Sequence, residues 1–243
     1  MADDKTNEWP RHLHRVLYGM RTHVPRATKF SLFHLVYGFI PRMAIDNHTE
    51  QNLPNLCHCV IDASQNLLQC QYSHIEGFEM VDFCQSDPRR IGFSQAPTEA
   101  IQIHHTQTTQ HWVVSSSIGG KVIVVDTLFD TLTDATAMDL CELYPALADD
   151  KGVLTVDIVA SQKQKGGSDC GLFAIANMLY LAQHGPKKIS TIKFDQDRMR
   201  NHLEECLMKQ QFTAFPMTKK KVSQKGARTV YLDVALKAIL NRK

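Results

Sequence analysis

Apolar residues recur along the chain with two periods, separated by polar gaps rich in Gly, Pro, Asn and Gln. Near the start, Trp9, Leu13, Val16, Leu17 and Met20 step by three and four, which predicts one helical face. Ser31 through Leu32, Phe33, Leu35 and Val36 to Gly38 predicts a second short helix with a capping start and a glycine stop. The polar stretch from Ile45 to Asn55 reads as a linker. Asp62 is placed to cap a helix that turns Ala63, Leu67, Leu68 and Cys70 inward, and Cys84 to Pro97 reads as a loop. His111 to Ser117 and Lys121 to Asp126 flank Gly119-Gly120, the pattern of a β-hairpin. A helix from Asp134 to Leu147 and a third strand from Val153 to Val159 follow. After the turn QKQKGGSD, an apolar helix runs from Cys170 to Gln183 and stops at Gly185-Pro186. Asp197 to Lys209, with Met199, Leu203 and Leu207 on one face, is the last amphipathic helix, and YLDVALKAIL is expected as a loosely attached one.

A length of 243 residues suits one sizeable core, or one domain with attached fragments, and a 43% apolar content fits a globular chain. The net charge of +2 is too mild for wholesale nucleic-acid binding, so any basic signal is local. That signal is the run Lys219, Lys220, Lys221, Lys225 and Arg228, read as a solvated tail offering at most a weak nucleic-acid contact. No apolar run approaches the roughly 18 residues that span a bilayer. Seven cysteines, at 57, 59, 70, 84, 141, 170 and 206, show no paired CxxC spacing, and no apolar leader opens the chain. These features predict a reduced setting, cytoplasm or nucleus. Neither Cys57, Cys59, Cys70 and His74 nor His104, His105 and His111 has the spacing of a zinc site, so no metal or cofactor is expected.

The chemistry gathers at Cys170. A free thiol, with a pKa of roughly 8.5, is little ionised at neutral pH and needs help to act as a nucleophile. The first turn of a helix supplies unpaired N–H groups and the positive end of the helix dipole. Gly166, Gly167 and Gly171 let the backbone turn and approach closely. Taken alone, Cys170 is as readily a small core residue, His111 an edge histidine, Asp126 a turn residue and Gln164 a solvated one. Together they form a set. A hairpin brings His111 and Asp126 to one end of the sheet, where an imidazole oriented by a carboxylate can activate a thiol. Gln164, six residues before Cys170, can aim an amide at the oxyanion of acyl transfer, with the Cys170 N–H as second donor.

His111-Trp112 opening a strand, Asp126 in VVDTL, and QKGGSDCGLF resemble the ubiquitin-like-modifier-specific cysteine proteases, the family of the SUMO-deconjugating enzymes and adenovirus protease relatives. The resemblance extends from about Ile61 to Pro216 and is nearest to a subgroup linked to mobile elements. It implies an α+β fold of the papain-like superfamily, with a central mixed or antiparallel sheet and the catalytic cysteine at a helix N-terminus. It implies His111 as general base, Asp126 as orienting acid, Gln164 as oxyanion donor and Cys170 as nucleophile. The implied reaction is hydrolysis of a peptide or isopeptide bond through a thioester, the implied partner a ubiquitin-like modifier or modified protein, and the chain is expected to act as a monomer. One position departs from the family: where many members carry the tryptophan that lids the Gly-Gly tail, this chain has Cys59.

Upstream, WPRHLHRVLYGMRTHVPRATKFSLFHLVYGFIPRMAID, residues 9–46, resembles the closing helices of retroelement integrase cores, with Leu32 where that pattern has Pro. The expected organisation is an integrase-like remnant at 1–47, a protease domain at 48–216 and a basic tail at 217–243. Two other functions use the same site: an acetyltransferase on the His-Asp-Gln-Cys set, and a weak or inactive module that binds a ubiquitin-like protein.

Overall fold

The computed structural model describes residues 56, 58–81, 93–96, 99–106, 110–128, 132–218 and 227–240. The two helices expected before residue 48 and most of the loop expected at 84–97 lie outside the described residues. The centre of the fold is a seven-stranded sheet in sequential order: β1 (Glu76–Gly77), β2 (Ala100–Thr106), β3 (His111–Ser116), β4 (Val122–Asp126), β5 (Val153–Ala160), β6 (Arg228–Asp233) and β7 (Ala238–Ile239). β1 with β2 and β4 with β5 are parallel, and the other neighbours are antiparallel, so the sheet is mixed and the fold α+β.

Four helices are described: α1 (His58–Gln71), α2 (Asp134–Leu143), α3 (Cys170–His184) and α4 (Gln196–Met208). The parallel step from β4 to β5 needs a crossover, and α2 provides it. Thr133 caps α2 through its hydroxyl. The helix expected to run to Leu147 instead ends at Leu143, and Pro145–Leu147 makes a separate turn of 3₁₀ helix, since proline cannot continue the α ladder. On one face of the sheet, Val113, Val122, Val124, Val156 and Ile158 pack on Ala137, Leu140 and Leu143. α3, almost wholly buried, lies against β3 and β2.

Three expectations are corrected. Asp62 is no cap: α1 starts four residues earlier, and the Asp62 carboxylate accepts the Val81 N–H at 2.8 Å. YLDVALKAIL is no helix: it holds the second half of β6 and all of β7, and β6 pairs with β5 from Ile158↔Arg228 to Val153↔Asp233. The segment read as a tail from 217 onward therefore contributes two strands to the sheet.

The topology delivers three chain segments to one edge. β3 starts there with His111, and β4, antiparallel to it, ends there with Asp126. β5, parallel to β4, also ends there: Asp126 pairs with Ala160, and the Ser161 N–H donates to the Asp126 carbonyl at 2.8 Å. The loop after β5 carries Gln164 and leads into α3, whose first residue is Cys170.

Candidate active site

His111 and Asp126 meet because of strand register. Val114 pairs with Val125, and continuing that ladder sets Asp126 opposite Val113, two residues from His111 and on the same face. The His111 Nε2 to Asp126 Oδ1 distance is 2.6 Å, with both side chains buried. The same carboxylate oxygen accepts the Leu128 N–H at 2.8 Å, which fixes its orientation. Nε2 is thus committed to Asp126, and the Cys170 side chain is the ring's other partner. Burial alone would lower the imidazole; hydrogen bonds to Asp126 and Cys170, together with their negative charge, outweigh it and raise His111 from 6.5 to about 9. At neutral pH the ring is an imidazolium held against the Asp126 carboxylate.

Cys170 is buried at 2% exposure and is the first helical residue of α3, so its N–H is one of the donors a helix start leaves unpaired. Its sulfur lies 4.0 Å from the Gln110 carbonyl, just before the imidazole strand. Gly171 follows for a packing reason. A Cβ there would come within 3.2 Å of both Leu56 Cβ and Trp112 Cδ1, so glycine lets the helix start seat against Trp112. Gly166 adopts a left-handed φ of 75° in the turn before the helix, whereas Gly167 shows neither requirement.

Gln164 is buried; its Oε1 accepts from the Thr127 hydroxyl at 3.4 Å and its Nε2 donates to the Gly166 carbonyl at 3.1 Å. This docks it beside the residue that follows Asp126, with its printed bonds to the loop rather than to Cys170. Gln162, the neighbouring glutamine, commits both ends of its amide to the Phe194 backbone, at 2.6 and 3.2 Å. The structure therefore brings His111, Asp126 and Cys170 into contact and holds Gln164 at the edge of that group.

Two further groups were not read from the sequence. His58 and His105 are linked at 3.2 Å, and both rings contact Trp112, His58 edge-on and His105 tilted against it. Burial, then the nearness of His58 and His111, lowers His105 to about 4, which leaves it neutral. The second group is the Asp169 carboxylate, bound by Arg200 and Gln196 of α4. No spacing rule links residue 169 to 200, so only the fold reveals it. Among the described residues, no group of three or more His, Cys, Asp or Glu side chains is arranged to hold a metal ion. Among them, too, no helix is long and apolar enough to cross a membrane.

The strand order and the helices packed on the sheet define an α+β fold with a mixed central sheet, with a helix-borne thiol and an imidazole at one end of it. No family profile matches the chain, and no curated protein matches it significantly. Among solved structures it is similar to SUMO protease Ulp1 with its catalytic cysteine oxidised to a sulfenic acid, at 12% identity over 86% of this chain and 96% of that one, with a TM-score of 0.51. The sulfinic acid form of Ulp1 aligns at 16% identity over 64% and 78% of the two chains, with a TM-score of 0.49. At such identities the likeness is one of fold.

Proposed function

We propose that the chain is a cysteine-type peptidase or isopeptidase acting on a ubiquitin-like modifier or a polyprotein junction. The observation that carries the reading is the double engagement of His111, with Nε2 on Asp126 and Cys170, at the N-terminus of α3, as the ring's second partner. An imidazolium raised to about 9 stabilises the thiolate and keeps a proton ready for the leaving amine.

Attack of Cys170 Sγ on the scissile carbonyl forms the C–S bond and moves charge to the carbonyl oxygen. The Cys170 N–H and the Gln164 amide stabilise that oxyanion, Gln164 by turning from Gly166. Collapse breaks the C–N bond as His111 delivers its proton to the amine, leaving a thioester. His111, now neutral, takes a proton from water; attack of that water and loss of the thiolate release the acid and restore the ion pair. Asp126 holds the ring orientation throughout and stabilises the charged form whenever the ring carries the proton. The substrate class comes from the fold: Ulp1, which shares it, is described as a SUMO protease.

The experiment is incubation of the full chain with a panel of ubiquitin-like modifiers bearing carboxy-terminal electrophiles. A covalent adduct that Cys170→Ala removes supports the reading. Binding without adduct would make the chain a binding module, and acetyl transfer from acetyl-CoA would make it an acetyltransferase.

A further inference from the structure

Asp169 occupies the N-cap of α3, where an aspartate ordinarily turns its carboxylate back onto the first-turn N–H groups. Here its side chain makes no capping bond. The carboxylate is drawn to α4 instead. Oδ1 accepts from Arg200 Nη2 at 2.6 Å and Nε at 3.1 Å, and Oδ2 accepts from Gln196 Nε2 at 2.5 Å. Both side chains of the ion pair are less than a fifth exposed, at 18% and 17%, so water screens the contact little. Gln196 also brackets the loop ahead of the thiol: its Oε1 accepts the Lys165 N–H at 2.8 Å, and its Nε2 donates to the Lys165 carbonyl at 3.0 Å. Arg200 Nη2 reaches the Ser168 carbonyl at 3.4 Å.

The placement matters because Asp169 is adjacent to the thiol in the chain. Released, its carboxylate would compete for the same N–H groups that a thiolate or acyl oxyanion needs. It would also set a like charge beside the sulfur, which disfavours the thiolate. Bound by Arg200, that charge is neutralised and held to the side.

We propose that Arg200 and Gln196 are positioning residues of the Cys170 site: they keep the Asp169 carboxylate off the N-terminus of α3 and fix the loop that carries Gln164. The inference rests on the cysteine-peptidase reading and adds to it a restraint supplied by α4. A clamp that merely staples α4 to the loop differs in one respect. For a staple, deleting Asp169 after Arg200 has gone changes nothing at Cys170; for a restraint on a competing cap, that second deletion restores the site.

The test follows two reactions of Cys170 in the full chain, with Cys170→Ala subtracted as background: acylation by p-nitrophenyl acetate and alkylation by iodoacetamide across pH. Arg200→Met lowers acylation about tenfold or more. It also moves the alkylation profile upward by about half a pH unit or more. Gln196→Ala shifts both in the same direction by less. Adding Asp169→Ala to Arg200→Met returns both toward the unsubstituted protein. Circular dichroism fixes a temperature at which each variant is folded; if Arg200→Met does not fold, Arg200→Lys, which keeps the charge and loses the planar fork, takes its place. An unmoved profile, or an acylation loss that Asp169→Ala does not reverse, overturns the inference. Absence of any Cys170-dependent reaction in the unsubstituted protein counts against the peptidase reading instead.

Discussion

His111 with Asp126 and His104 with Asp139 use the same pair of residue types, with the two histidines on neighbouring strands of one sheet and Asp139 supplied by α2. The second pair even has a hydroxyl in line. His104 Nδ1 is 3.2 Å from Asp139 Oδ2, its Nε2 is 2.7 Å from Ser115 Oγ, and Ser115 Oγ is 2.8 Å from the Tyr144 hydroxyl. Composition alone would make this a serine triad. His104 and Ser115 are fully buried, however, and the tyrosine meets the hydroxyl where a substrate would have to stand. Tyr144 is itself buried, which raises its phenol above the ordinary value even though the bond to Ser115 lowers it somewhat, so it stays neutral. The network closes on itself and satisfies the polar atoms of a core. His111 lies at the strand start, at the edge where three segments meet, with the Cys170 side chain at a helix terminus as its second partner. Position on the sheet, rather than residue type, separates a pair placed to act on a thiol from one closed within the core.

The largest separation is expected from the two nucleophile positions. Cys170→Ala removes the activity, by about four orders of magnitude or more, whereas Ser115→Ala leaves the turnover of folded protein within about twofold. Initial rates at a temperature where both variants are folded check this. Next come the carboxylates. Asp126→Asn lowers turnover by about 10²–10⁴-fold with a small change in melting temperature, because the ring loses its orienting anion. Asp139→Asn reverses the pattern, costing about 1–3 kcal/mol in urea denaturation with turnover unchanged.

Much of this was legible in the sequence, for reasons that name particular residues. β3 and β4 announced themselves through β-branched runs around Gly119-Gly120, and the hairpin they imply suffices to join His111 to Asp126. α3 was visible from its apolar length and its glycine stop. β2 was not, because AIQIHHT is buried along its whole length and two buried histidines break any alternation. β6 was mistaken for a helix because Val230, Leu232 and Val234 alternate only briefly before the turn that leads to β7. Asp62, Asp169 and Gln162 looked like ordinary turn or capping residues; their partners Val81, Arg200 and Phe194 are brought to them by the fold.

Smaller effects sharpen the contrast further. Folding raises His111 from 6.5 to about 9, so its contribution to stability is fully present below about 6.5 and is lost as pH rises through about 9. Cleavage of an amide-linked substrate follows the same upper limb, since a deprotonated ring cannot protonate the leaving amine, while alkylation of the thiolate persists above it. A pH series of both reactions checks that divergence. Smallest is Tyr144→Phe, which costs about 1 kcal/mol in denaturant melts and leaves Cys170 chemistry untouched.

The central claim, that His111 and the start of α3 make Cys170 a nucleophile, meets its most direct test against another cysteine of the same chain. Cys70 is exposed and Cys170 is buried. Alkylation by limiting iodoacetamide at pH 6, read residue by residue by peptide mass spectrometry, ranks the two. The ion pair predicts that Cys170 reacts first despite its burial, and that Asp126→Asn removes the advantage. Cys70 reacting first in the unsubstituted protein, as access alone would dictate, contradicts the account.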